Sequence, residues 1–204
     1  MRRIPLSRRS HVTGFQIVAA SATEHESALE RDFVTLATFT DASARIIPQP
    51  VTIPFQDSGV ARRYTPDFLI HWSTGRSDLV EVKYRVDLRL HWKRLRPAFA
   101  AASTWAEAHD ARFRIVTDRS IRSPLLLNAK RLLPLRAAHL DPVMPTKIFD
   151  ALASMSEPTL GALLEAIQIE RAEVLGALWR MIARGALRVE LTEPIGMNAR
   201  VSLP

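Results

Sequence analysis

The chain has 204 residues, 47% of them apolar, which suffices for one fair-sized domain or two small ones with a real core. No run is long and apolar enough to span a membrane, and the absence of cysteine excludes disulfides and thiolate metal sites. The formal net charge of +7 is unevenly placed: residues 1–137 hold 22 Lys+Arg against 13 Asp+Glu, whereas residues 138–204 hold 6 against 8. The first stretch therefore suits a polyanionic partner and the second does not.

Residues 1–20 open with Arg2, Arg3, Arg8 and Arg9, either a soluble arm or one that lies on phosphates. No apolar signal core follows these arginines, so the chain is expected in the reducing cytoplasm. Residues 24–39 read as a helix with Leu29, Phe33, Leu36 and Phe39 at helical spacing, and Thr23-x-x-Glu26 resembles a capping box. Glu30 lies one turn on. It is a boundary acid, the end of a second box beginning at Ser27, or a third acid reaching a site elsewhere. The prolines of 44–56 argue for an edge or bent strand, and Gly59 for a turn.

Two strands come next, over 64–70 and 79–83, joined by the turn-rich Ser73-Thr74-Gly75-Arg76-Ser77. Residues 88–109 are expected to be helical, with Leu95, Phe99, Ala102 and Trp105 inward and Pro97 marking either a kink or a start. A strand over 113–117 and a short helix over 125–133 follow. The order builds an α/β sheet with helices on its faces.

The hairpin carries the chemistry. Residues two apart on a strand share a face, so Glu81 and Lys83 point together, and strand pairing can set Asp67 beside them. A solvated hairpin face with a Glu–Lys pair is the plain reading. The chemical reading is that two carboxylates hold a hard divalent cation while the lysine orients or deprotonates a water and offsets phosphate charge. His25, His71 and His91 have no ligand spacing that competes. Arg62 and Arg63 precede Asp67, and Arg85, Arg89, Lys93, Arg94 and Arg96 follow Lys83. These seven are the expected phosphate contacts.

From about Glu26 to Leu135 the residues resemble the TnsA-like endonuclease subunits of heteromeric bacterial transposases. The resemblance rests on Leu29-Glu30-Arg31-Asp32-Phe33, Gln49-Pro50, Tyr64-Thr65-Pro66-Asp67-Phe68 and Val80-Glu81-Val82-Lys83. Phe99-x5-Trp105 and Thr117-Asp118-x-x-Ile121-Arg122 continue it, and it ends near Asn128. It implies a restriction-endonuclease-like PD-(D/E)xK fold that cuts one strand at each transposon end, beside an integrase-type transposase that cuts the other. It places the helix acid on Glu30, the strand acid on Asp67, an acid-or-amide position on Glu81 and the lysine on Lys83. Mg²⁺, replaceable by Mn²⁺, is the implied ion, with Asp67, Glu81, Glu30 and the backbone carbonyl of Val82 as ligands.

Pro142 and Pro145 mark a domain edge, giving a nuclease domain over 1–137 and a second domain over 138–204. Helices over 146–154, 159–168 and 170–184, then strands over 187–191 and 199–203, make a winged helix-turn-helix. The third helix opens Glu170-Arg171-Ala172-Glu173, a tip that favours protein contact over DNA. The resemblance implies an AAA+ ATPase regulator as that partner. A stand-alone restriction or repair nuclease and a non-catalytic winged-helix regulator are the rival readings.

Overall fold

The computed structural model describes the backbone of residues 14–18 and 21–25 and the whole of residues 28–204. Strand β1 (Gly14–Val18) pairs antiparallel with β2 (Ser21–His25), and helix α1 (Ala28–Thr40) follows. The helix therefore starts four residues later than its periodicity suggested, because 21–25 are taken up by strand pairing. The basic residues Arg2, Arg3, Arg8 and Arg9 lie outside the described residues, as do Glu26 and Ser27 of the two possible capping boxes.

The main sheet has four strands, ordered β3 (Arg45–Pro48), β6 (Phe68–His71), β7 (Ser77–Lys83) and β8 (Ala111–Thr117). β3, β6 and β7 are antiparallel neighbours, and β8 runs parallel to β7. As its prolines require, the 44–56 stretch supplies the edge strand β3; it then leaves the sheet. Its second part, β4 (Ile53–Asp57), pairs with β5 (Val60–Tyr64) in a separate ribbon. The turn between them has Ser58 and Gly59 at φ of 52° and 80°, the left-handed region that a glycine enters without a Cβ clash. The expected strand over 64–70 is thus two pieces, because Tyr64 closes β5 and Phe68 opens β6.

The two sheet faces are covered differently. Leu79 packs with Ile53, Ala102 and Ala106, joined by Tyr64, Leu69, Trp105 and Phe113, so helix α2 (Arg85–Glu107) and the ribbon cover this face. On the other face Phe68 meets Phe33 of α1, with ring centroids 5.7 Å apart. α2 runs through Pro97 without ending. Pro97 is only partly buried and Lys93 is exposed, so the Lys93 carbonyl that loses its partner can meet water. The short helix α3 (Asp118–Ile121) closes this region.

The chain divides into two compact units at Arg122 and Ser123 rather than near 137. Helix α4 (Pro124–Leu132) belongs to the second unit because it packs on a later helix, α7 (Arg171–Ala183), where Arg131 stacks over Trp179 at 4.4 Å. A 3-10 turn (Leu133–Leu135), α5 (Val143–Ala153) and α6 (Leu160–Ala166) lie between them. Gly185, at φ 74°, ends α7. The strands expected over 187–191 and 199–203 shrink to isolated bridges, Arg188 with Ser202 and Thr159 with Arg200. Two local bonds take the first segment out of a ladder. The Leu187 N–H turns back to the Met181 carbonyl, and the Glu190 carboxylate accepts from the Thr192 N–H at 2.8 Å.

Candidate active site

The β6–β7 register pairs Phe68 with Val80, and one further step sets Asp67 opposite Glu81. Alternation then puts Asp67, Glu81 and Lys83 on the face shared with Leu69 and Leu79. The Asp67 carboxylate is tied to β7 itself, since its Oδ2 accepts the Val82 N–H at 2.7 Å. The Val82 side chain is buried. The structure thus engages Val82 through its N–H.

Glu81 is 4% exposed and both of its oxygens are occupied. Oε2 accepts from the Tyr64 hydroxyl at 2.5 Å, and Oε1 pairs with the Lys83 ammonium. Tyr64 reaches Glu81 from the end of β5, with its ring edge-on to Phe99 at 5.8 Å. Burial and then the Glu81 charge push the Tyr64 phenol far above its ordinary range, so it stays a donor.

The electrostatics are those of a crowded acid site. Burial first, then the carboxylates of Glu81 and Glu30, hold Asp67 well above the usual carboxylate range, against the Val82 hydrogen bond and the Lys83 charge. That Glu30 acts on Asp67, and on Lys83, brings the first turn of α1 to the site. Glu30 is thus close enough for its charge to act on both groups. Burial pulls Lys83 down, but the Glu81 charge and hydrogen bond, with Asp67 and Glu30 behind them, raise it above its ordinary value. Lys83 in this arrangement is an ammonium, suited to donating hydrogen bonds and offsetting charge rather than to taking a proton.

No group of three His, Asp or Glu side chains among the described residues is arranged to close on one ion. Glu81 explains why: its oxygens face Tyr64 and Lys83. The donor set still suits a hard dication. Two acids face each other across adjacent strands, a third adds its charge, and Asp67 bears the unrelieved repulsion. Each Glu81 oxygen accepts one hydrogen bond and keeps a second lone pair that an ion could use.

The expected phosphate contacts fall in two groups. Arg63 is exposed on β5, while Arg62 pairs with Asp57 at 3.0 Å. Arg85 opens α2, and its N–H donates to Asp118 Oδ1 at 2.7 Å, so Asp118 anchors the helix that starts two residues after Lys83. Arg89, Lys93, Arg94 and Arg96 are exposed along the first half of that helix. Sequence reasoning gave no role to Tyr64 or Asp118, although both stand inside the motifs it used. The contact of Tyr64 with Glu81 spans 17 residues and has no periodic signal.

No curated protein matches the chain. Residues 41–118 match the family model described as TnsA-like endonuclease N terminal. The match contains Asp67, Glu81, Lys83, Tyr64 and Asp118 but begins after Glu30, whose link to these residues is the effect of its charge on Asp67 and Lys83. Over the segment that builds the hairpin and its acids, the chain is similar to the TnsA-like endonucleases.

Proposed function

We propose that this protein is a metal-dependent DNA endonuclease subunit of a heteromeric transposase, nicking one strand at each transposon end. The observation that carries the reading is the Asp67–Glu81–Lys83 group on one sheet face, inside the segment that matches the family. Asp67 and Glu81, with Glu30 beside them, would hold Mg²⁺ or Mn²⁺, and the Val82 carbonyl is the remaining proposed ligand. Such an ion supplies Lewis-acid stabilisation of phosphate charge and lowers the pKa of a bound water. The chain's own residues do the positioning. Tyr64 fixes the Glu81 carboxylate, Val82 fixes Asp67, and the Lys83 ammonium orients the attacking water and offsets charge on the phosphate. The products would be a 5′-phosphate and a 3′-hydroxyl.

For the second unit we propose a winged helix that binds a partner protein, an AAA+ ATPase regulator. Residues 199–202 bridge to Arg188 on one side and to Thr159 on the other, as a short wing beside three helices would. Counted from Ser123, the unit holds nine Lys+Arg against eight Asp+Glu, so it is nearly neutral rather than acidic. Several of those cations have internal partners. Arg136 donates to the Ala183 carbonyl and Arg184 to the Arg136 and Ala138 carbonyls, while Arg200 pairs with Glu157. The helix tip is itself capped by Glu170, which accepts from the Glu173 N–H at 2.9 Å. These features favour protein contact over phosphate contact. No helix among the described residues is long and apolar enough to cross a membrane.

The test is strand-specific nicking of a plasmid bearing transposon ends, with Mg²⁺, the integrase-type transposase and the ATPase present. One nick per end, lost in Glu81→Ala, is expected. Full cleavage by that variant would refute the assignment.

A further inference from the structure

α2 leaves the candidate site directly, beginning two residues after Lys83. Its inward stripe is Ala98, Phe99, Ala102 and Ala106. At the helical repeat, Val86 and Leu90 fall on the opposite side and form a ridge along it. Their exposures agree, at 68% and 73%. The cations Arg89, Lys93, Arg94 and Arg96 border this ridge, all exposed and without an ion-pair partner among the described residues. The one acid in the stretch is Asp87.

An apolar ridge bordered by four cations and a single acid fits one class of partner best. A protein partner for four neighbouring cations would need a matching acidic complement. Duplex DNA offers both halves at once: phosphates for the cations, and stacked bases between which an aliphatic side chain can insert from the minor groove. The spacing suits such a role. Leu90 stands about 7.5 Å along the helix from its first residue, Arg85, at 1.5 Å per residue. That is roughly two base steps.

We propose that Val86 and Leu90 form a wedge that opens a base step close to the cleaved phosphate, while Arg89 and Lys93 hold the flanking backbone. The inference rests on the nuclease reading and adds deformation of the duplex to it. Unstacking at this step would make the scissile strand easier to seat against Asp67 and Lys83, and it would favour flexible pyrimidine–purine steps near the cut.

The experiment uses the full chain and an end duplex carrying 2-aminopurine at successive positions, whose fluorescence rises on unstacking. The wild type should raise it at one or two positions within about three steps of the nick. The double variant Val86→Ser/Leu90→Ser should lose that rise, bind about tenfold more weakly and keep its salt slope and melting temperature. Arg89→Ala/Lys93→Ala should instead flatten the salt slope by about two, one per lost phosphate contact. Wild-type fluorescence and affinity in the serine variant would overturn the wedge. So would a serine variant that binds DNA normally but no longer captures the integrase-type transposase, which would make the ridge a protein contact. The nuclease reading fails separately, if the wild type unstacks the duplex yet never nicks it. Absence of any duplex binding by the wild type would overturn both.

Discussion

Two buried polar side chains, one in each unit, show how differently this chain treats polarity. Glu81 and Asn128 are both 4% exposed. Asn128 is a settled group. Its amide donates to the Leu191 and Glu193 carbonyls at 2.8 Å each, and its oxygen faces the Ile195 N–H. It carries no charge and cross-links α4 to the segment after α7. Glu81 is also bonded at both oxygens, but its charge acts on Asp67, which burial and two neighbouring acids drive toward its protonated form. One arrangement is complete as it stands; the other holds an electrostatic conflict that a bound dication would relieve. Buried polar networks of the first kind specify structure, and those of the second kind mark sites of chemistry.

The comparison breaks most sharply at Asp67. Asp67→Asn should lower cleavage by about a thousandfold or more, since it removes an anionic ligand from a hard-cation site. Without metal the same change should stabilise the fold. A carboxylate whose folded pKa is raised binds its proton more tightly folded than unfolded. Stability is therefore lost as pH rises from the ordinary aspartate value through the raised one. At neutral pH the variant should melt about 2–4 °C higher, for a gain on the order of 1 kcal/mol. Calorimetry with a chelator present checks this, and a lower melting temperature would mean that Asp67 is structural.

Asn128→Ala should do the reverse. It leaves two carbonyls without donors and should cost about 2 kcal/mol, seen as a fall of roughly 4–8 °C. Cleavage per folded molecule should not change. Tyr64→Phe sharpens the comparison with the smallest expected effect. It keeps the ring against Phe99 but frees Glu81 Oε2. Loss of a hydrogen bond behind a metal ligand should weaken Mn²⁺ binding about tenfold, with little change in melting temperature. Equal affinity in the two proteins would show that Tyr64 only packs.

Much of the first unit was legible because the period of two assigns each strand residue a face, even in β7, where residues 78–82 are all buried. β6 and β7 came out with their faces correctly sorted, and the Asp67–Glu81 juxtaposition followed from pairing. β5 was not legible. Val60 to Arg63 are all exposed, so no period of two appears, and only the ribbon turn at Ser58-Gly59 hints at it. The start of α1 was misplaced because 21–25 carry no alternation that distinguishes a strand from a capped helix start. Spacing left Glu30 open between a cap and a site; in the fold its charge acts on Asp67 and Lys83. The C-terminal helices were read from their periodicity, while the hairpin was overestimated because apolar alternation cannot reveal the local bonds of Leu187 and Glu190. The earlier unit boundary escaped notice because Asn128 finds its partners more than sixty residues away.

The central claim is that half-buried Asp67 and buried Glu81 are set side by side to hold the proposed divalent cation. Calorimetric titration of Mn²⁺ into the full chain tests it most directly, with a phosphorothioate duplex present to block cleavage and the pH set at 6 and at 8. The account predicts saturable binding that is tighter at pH 8, where Asp67 gives up its proton more readily, and that disappears in Asp67→Asn. Binding that is absent from the wild type at pH 8, or unchanged in Asp67→Asn, would contradict it.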